Sequence, residues 1–79
     1  MFDKLKVELN SLLQVENIAI DEIFYKKGRP NTLNVVITSS DVIDIDTVVK
    51  VTKMINPVID KMDLIKGNYV LDVYSKERK

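Results

Sequence analysis

The sequence predicts an α+β domain, a two-layer sandwich with the order helix, strand, strand, helix, strand, in which two helices cover one face of a three-stranded sheet. Three observations carry this. Apolar residues recur at helical spacing in "MFDKLKVELNSLL" and again in "IDTVVKVTKMINPVID". They alternate at strand spacing in "LNVVIT" and "NYVLDVY". Between two β-rich runs lies a turn-forming stretch, "KKGRPN". A helix with one apolar stripe and a sheet with one apolar face bury both by stacking. The 79 residues suffice for one such domain, spanning 1–79, with one small core.

The first helix is expected from about Asp3 to Gln14. Phe2, Leu5, Leu9, Leu12 and Leu13 fall on one face, and Asp3 suits either the N-cap or the first turn. The next run, "IAIDEIFY", is rich in strand formers, but its alternation slips between Ile20 and Ile23. A bulge near Asp21 or Glu22 repairs it. In the turn, Gly28 allows positive φ, and Pro30 cannot donate to a ladder. The second strand runs from Leu33 to Thr38, with Leu33, Val35 and Ile37 toward the core.

"SSDVIDID" then breaks the strand, and Asp44 or Asp46 can cap the second helix. The stripe expected to face the core is Ile45, Val48, Val49, Thr52, Ile55, Ile59 and Met62. Pro57 interrupts it, because an interior proline removes a hydrogen bond and clashes one turn back. The expected form is a helix from Asp46 to about Asn56, then a kink or a restart capped by Asn56 that continues to about Lys61. The last strand is expected from Asn68 to Tyr74, with Tyr69, Leu71 and Val73 toward the core. It leads straight into the charged stretch "SKERK", which either guards a sheet edge or is a linker cut short.

Composition narrows the chemistry. Lysine plus arginine number 12, and aspartate plus glutamate also 12, so the formal charge is zero. That argues against generic polyanion binding, which works by neutralising several phosphates at once. The signs are nevertheless separated. Lys26, Lys27 and Arg29 fall together, as do Lys76, Arg78 and Lys79, while acids gather at Asp41, Asp44 and Asp46 and at Asp60 and Asp63. Segregated charge favours one docking orientation over sliding along nucleic acid. No cysteine is present, so no disulfide or thiolate metal site forms, and no apolar run approaches the roughly 18 residues of a membrane span. The start of the chain lacks the pattern of a signal peptide. The expectation is a cytoplasmic, monomeric, soluble protein.

The absence of histidine and cysteine removes the usual nucleophile-and-base arrangements, so no catalytic residue is assigned. Ser39 and Ser40 read as turn residues. A calcium loop started at Asp41 or Asp44 would need glycine where Asp46 or Val49 stands, so no metal or cofactor is expected. The element order is similar to one variant of the KH domain, whose GxxG loop clamps the RNA backbone. Gly28 and Gly67 are the chain's 2 glycines and form no GxxG. A KH-like shape without that clamp is the outcome. The tip "KKGRP" could contact phosphate or an acidic protein, or simply be solvated.

The second half, "DIDTVVKVTKMINPVIDKMDLIKGNYVLDVYS", resembles the ribosome maturation factor RimP family. Ile45 and Asp46 match the opening of the family pattern, and Thr52 stands at its serine. Ile59 and Asp60 stand for its Leu-Asp, with Asp63 and Ile65 in step. Tyr69, Leu71, Asp72, Val73 and Ser75 match its closing strand. "IAIDEIFY" followed by "LNVVI" looks like the family's first hairpin. The family's Pro-Gly is replaced by Lys76 and Glu77, and its second domain, a small β-barrel, has no counterpart in this sequence. The resemblance is thus to an N-terminal domain. It implies non-enzymatic assistance in maturing the small ribosomal subunit, with the subunit precursor, a small-subunit ribosomal protein and ribosomal RNA as expected partners. On that reading, Lys26, Lys27, Arg29, Asp41, Asp44, Asp46, Asp60, Asp63, Asp72 and Ser75 are the candidate partner-binding residues. The alternatives are a KH-like single-stranded RNA binder and a protein-interaction domain unrelated to ribosomes.

Overall fold

A computed structural model describes residues 2–76. Its elements are α1 (Asp3–Leu13), β1 (Ala19–Lys26), β2 (Thr32–Thr38), α2 (Ile45–Met62) and β3 (Val70–Ser75), with a short 3-10 turn at Gln14–Glu16. The sheet order is β1-β2-β3. β1 is antiparallel to β2, and β3 is parallel to it. Leu5, Leu9 and Leu13 of α1, Val51, Ile55 and Ile59 of α2, and Leu33, Val35 and Ile37 of β2 form one core, so both helices cover the same sheet face. The two-layer α+β arrangement read from the sequence is the one observed. Glu77, Arg78 and Lys79 lie outside the described residues, and with them most of "SKERK".

α1 buries Leu5, Leu9 and Leu13, residues four apart that line up on one side of a helix. Its N-cap is Phe2, and Asp3 sits in the first turn, where a carboxylate meets the positive end of the helix dipole. Asn17 then takes the left-handed conformation at φ 58°, and its N–H donates to the Gln14 carbonyl at 3.1 Å. Asparagine tolerates that region better than most residues. Asn10 ties the helix to the sheet: its Oδ1 accepts from the Ile20 N–H at 2.7 Å.

The bulge falls at Asp21, between Ile20 and Glu22, and lets Ile20, Ile23 and Tyr25 all pack on the core side. The turn works differently from expectation. Gly28 has no positive φ; the Arg29–Pro30 peptide bond is cis, and Asn31 Oδ1 accepts from the Gly28 N–H at 3.0 Å. β2 is buried on both faces. Leu33, Val35 and Ile37 are buried as read from alternation, but Asn34 and Val36 are buried too, because a central strand has a neighbour on each side.

α2 corrects two expectations. It runs unbroken through Pro57 to Met62, so Asn56 is an interior, exposed helix residue and caps nothing. Pro57 and Lys53 both face solvent, where water can satisfy the Lys53 carbonyl that has lost its N–H partner. The buried stripe is also shifted. Val51, Ile55 and Ile59 are buried, with Val48, Met54, Val58 and Met62 beside them, whereas Ile45 and Val49 are exposed. The stripe moves because α2 packs against α1 and β3, and the isoleucine in its first turn lies exposed beyond that contact. In β3 the register is as expected: Val73 is buried, Leu71 half-buried and Val70 exposed. Tyr69 precedes the strand and is half-buried against the core.

Two stability measurements check these assignments. Ile55→Ala is expected to cost about 2–5 kcal/mol in urea unfolding, and Ile45→Ala about 0.5 kcal/mol or less. Pro57→Ala is expected to stabilise the fold by about 1–2 kcal/mol, since it restores a helical hydrogen bond and loses only the chain-stiffening effect of proline.

Candidate partner-binding surface

The fold sorts the candidate residues into three places. β1 ends and β2 begins at the hairpin tip, which carries Lys26, Lys27 and Arg29, all exposed. β3 starts beside that tip, with the Val70 N–H donating to the Asn31 carbonyl at 2.8 Å. The loop feeding β3 comes from the C-terminal end of α2, where Asp60 and Asp63 lie exposed. Tyr69 joins the two groups. It lines one depression with Arg29, Pro30 and Asn31, and a second with Asp60, Asp63 and Lys66. A cationic tip and an acidic helix end therefore share one end of the molecule.

Asp41, Asp44 and Asp46 sit at the opposite end, around the start of α2. The helix of 18 residues separates the two acidic groups by about 20–25 Å. They form no common acidic face, although they are close in composition. Asp72 lies mid-strand, opposite Asn34, on the sheet face turned away from the helices. Ser75 pairs with Ile37 on the core side and is buried, which leaves little of it for a partner to touch.

The acids also differ in what holds them. Asp44 is the N-cap of α2: its Oδ1 accepts from the Thr47 N–H at 2.8 Å and from the Thr47 hydroxyl at 2.7 Å. These bonds hold its carboxyl below the ordinary value of 3.8, the side-chain bond contributing most. Asp41 Oδ2 accepts from the Asn17 side chain at 3.4 Å. Asp63 is the C-cap of α2, left-handed at φ 47°, with its N–H on the Ile59 carbonyl. Its charge and that of Asp60 stand at the negative end of the helix dipole, where carboxylates gain nothing from the helix. The Tyr69 hydroxyl is held above its ordinary value of 10.0, first by burial and then by the Asp60 and Asp63 carboxylates, which disfavour a phenolate. Among the described residues no group of three or more carboxylates converges as a metal site. No described helix is long and apolar enough to cross a membrane.

Against this geometry, the family model described as the RimP N-terminal domain matches residues 8–76. The chain belongs to the RimP N-terminal domain family. The match runs from within α1 to the residue after β3, so it takes in the hairpin tip, both ends of α2 and the sheet. RimP is a ribosome maturation factor and is not known as an enzyme. The resemblance read from Ile45 through Ser75 therefore pointed to the right family. What the residues did not reveal was Tyr69 as the junction between the charged groups. Alternation placed its ring in the core, and only the path of the loop after α2 shows it bordering both.

The Asp44 cap has a pH signature. Its folded value is depressed, so its contribution is complete above the unfolded value near 3.8 and is lost as pH falls through the folded value. Asp44→Asn keeps an acceptor for the cap but cannot titrate. Thermal midpoints measured from neutral pH down to acid are expected to fall less steeply for Asp44→Asn than for the parent. Asp44→Ala is expected to be lower at neutral pH.

Proposed function

We propose that this RimP-family domain acts without catalysis in maturing the small ribosomal subunit, in the cytoplasm, by docking on the assembling particle with its hairpin end. The family match over residues 8–76 carries this reading. The arrangement of charge supports the orientation. Lys26, Lys27 and Arg29 face ribosomal RNA, while Asp60 and Asp63 meet a basic small-subunit ribosomal protein. Two opposite charge groups flanking Tyr69 admit one orientation of a composite partner and disfavour its reverse. Zero net charge keeps non-specific attraction to RNA low. Asp41 and Asp46, at the far end, are left as solvated residues beside the capped start of α2.

Affinity capture of small-subunit precursors from lysate tests the orientation. Lys26→Ala, Lys27→Ala and Arg29→Ala together, and Asp60→Asn with Asp63→Asn, are each expected to lower recovery about three- to tenfold at moderate salt, with the parent's own recovery falling as salt rises. Asp41→Asn with Asp46→Asn is expected to leave recovery unchanged. Equal recovery from all three variants would remove the proposed docking end.

A further inference from the structure

The hairpin end holds a depression whose character charge alone does not explain. It has a volume of about 420 Å³ and is lined by residues 28–31 of the hairpin loop and residues 68–70, where β3 begins. Hydrogen bonds hold these segments together before any ligand arrives. The Val70 N–H donates to the Asn31 carbonyl at 2.8 Å, and Asn31 Oδ1 accepts from the Gly28 N–H at 3.0 Å. The Thr32 hydroxyl donates to the Pro30 carbonyl at 3.2 Å. A site fixed in this way loses little freedom on binding. Val70 is 48% exposed, Pro30 is exposed, and Tyr69 packs partly on the core. The lining is mostly apolar, and Arg29 is its one charged residue. Asp60 and Asp63 lie on the other side of Tyr69, with Lys66, in the neighbouring depression.

We propose that this depression seats one unstacked nucleobase of single-stranded RNA, with its phosphate on Arg29. The inference deepens the docking reading above and rests on it for the class of partner. An apolar seat with one cation at its rim suits a ligand that joins a flat, largely apolar body to an anion, and a nucleotide is built that way. The base lies against Pro30, Tyr69 and Val70. Asn68, exposed at the rim, offers an amide that can both donate to and accept from the base edge. The Asp60 and Asp63 carboxylates repel the phosphate from their side of Tyr69 and leave it the Arg29 side, so the nucleotide enters in one sense. A duplex keeps its bases stacked, so it would meet the cations and bypass the depression. An acidic peptide with an aromatic side chain matches the cation equally well, but a phenyl edge makes no use of the amide.

The test is NMR titration of the isotope-labelled full chain with three probes in turn: a short oligouridylate, an abasic ribose-phosphate strand of the same length and charge, and a short peptide of glutamate and phenylalanine. Oligouridylate is expected to shift the amides of Gly28, Arg29, Asn31, Asn68, Tyr69 and Val70. The abasic strand is expected to bind about threefold or more weakly. Tyr69→Leu, which keeps an apolar side chain against the core, is expected to remove most of that difference, while Arg29→Ala weakens both strands together. If Tyr69→Leu unfolds, Asn68→Ala with Val70→Ser decides in its place, with the same expected loss. Equal affinity for the two strands would overturn the base seat and leave the charge-guided docking of the hairpin end standing. Base-dependent shifts that persist while particle capture proves indifferent to Lys26, Lys27 and Arg29 would support the seat and remove the docking reading. No shifts of these amides with oligouridylate would overturn the proposal. So would tighter binding of the acidic peptide, which would assign the depression to a protein.

Discussion

β2 has to satisfy two hydrogen-bonding edges and two packing faces at once, and the rest of the molecule is arranged around that demand. Its odd residues are fully buried under the helices, and Val36 is buried on the other side. A strand enclosed in this way needs a partner along each edge. The hairpin supplies β1, but the chain leaves β2 at the end far from the tip. A parallel partner then requires a crossover that carries the chain back along the length of the sheet. α2 is that crossover. Its 18 residues span about 27 Å, enough to return past the hairpin tip before β3 begins.

The placement of charge follows from this route. Because α2 must finish where β2 starts, Asp60 and Asp63 arrive beside Lys26, Lys27 and Arg29. Because α2 must start where β2 finishes, Asp41, Asp44 and Asp46 are sent to the other end. The topology thus divides a set of acids that composition treats as one. It also divides them by work. Asp44 holds the first turn of a helix, and Asp63 turns the chain out of it in a left-handed conformation, while the side chain of Asp60 makes neither kind of closure.

Small polar residues complete the joints that a core of this size cannot. Asn10 reaches from α1 to the Ile20 N–H next to the bulge, where the ladder is interrupted. Asn17 turns the chain after the 3-10 turn, and Ser39 donates to its carbonyl at 3.0 Å. Gly67, at φ 89°, makes the reversal before β3 in a region that side chains rarely adopt. Among the described residues no helix lies on the other sheet face, where Phe24, Tyr74, Glu22 and Asp72 of the edge strands flank Asn34 and Val36.

What the sequence determined by itself was whatever depends on near neighbours. Leu5 and Leu9 lie on one helical turn after another, Leu33, Val35 and Ile37 alternate, and the slip between Ile20 and Ile23 locates a bulge; each is a local periodicity. The family likeness belongs here too, since the ordered matches from Ile45 to Ser75 are linear. Tertiary structure decided what depends on which surface each residue meets. Val51 rather than Val49 is buried because α2 is turned to fit α1 and β3. Pro57 sits in an unbroken helix because it faces water. Tyr69 borders two charge groups, and Glu22, Phe24, Asp72 and Tyr74 meet across β2, because strand order and register bring together residues that lie about fifty apart in the chain. Helical and strand periods are written along the sequence; the burial of both faces of a central strand is set only when its two neighbours are in place.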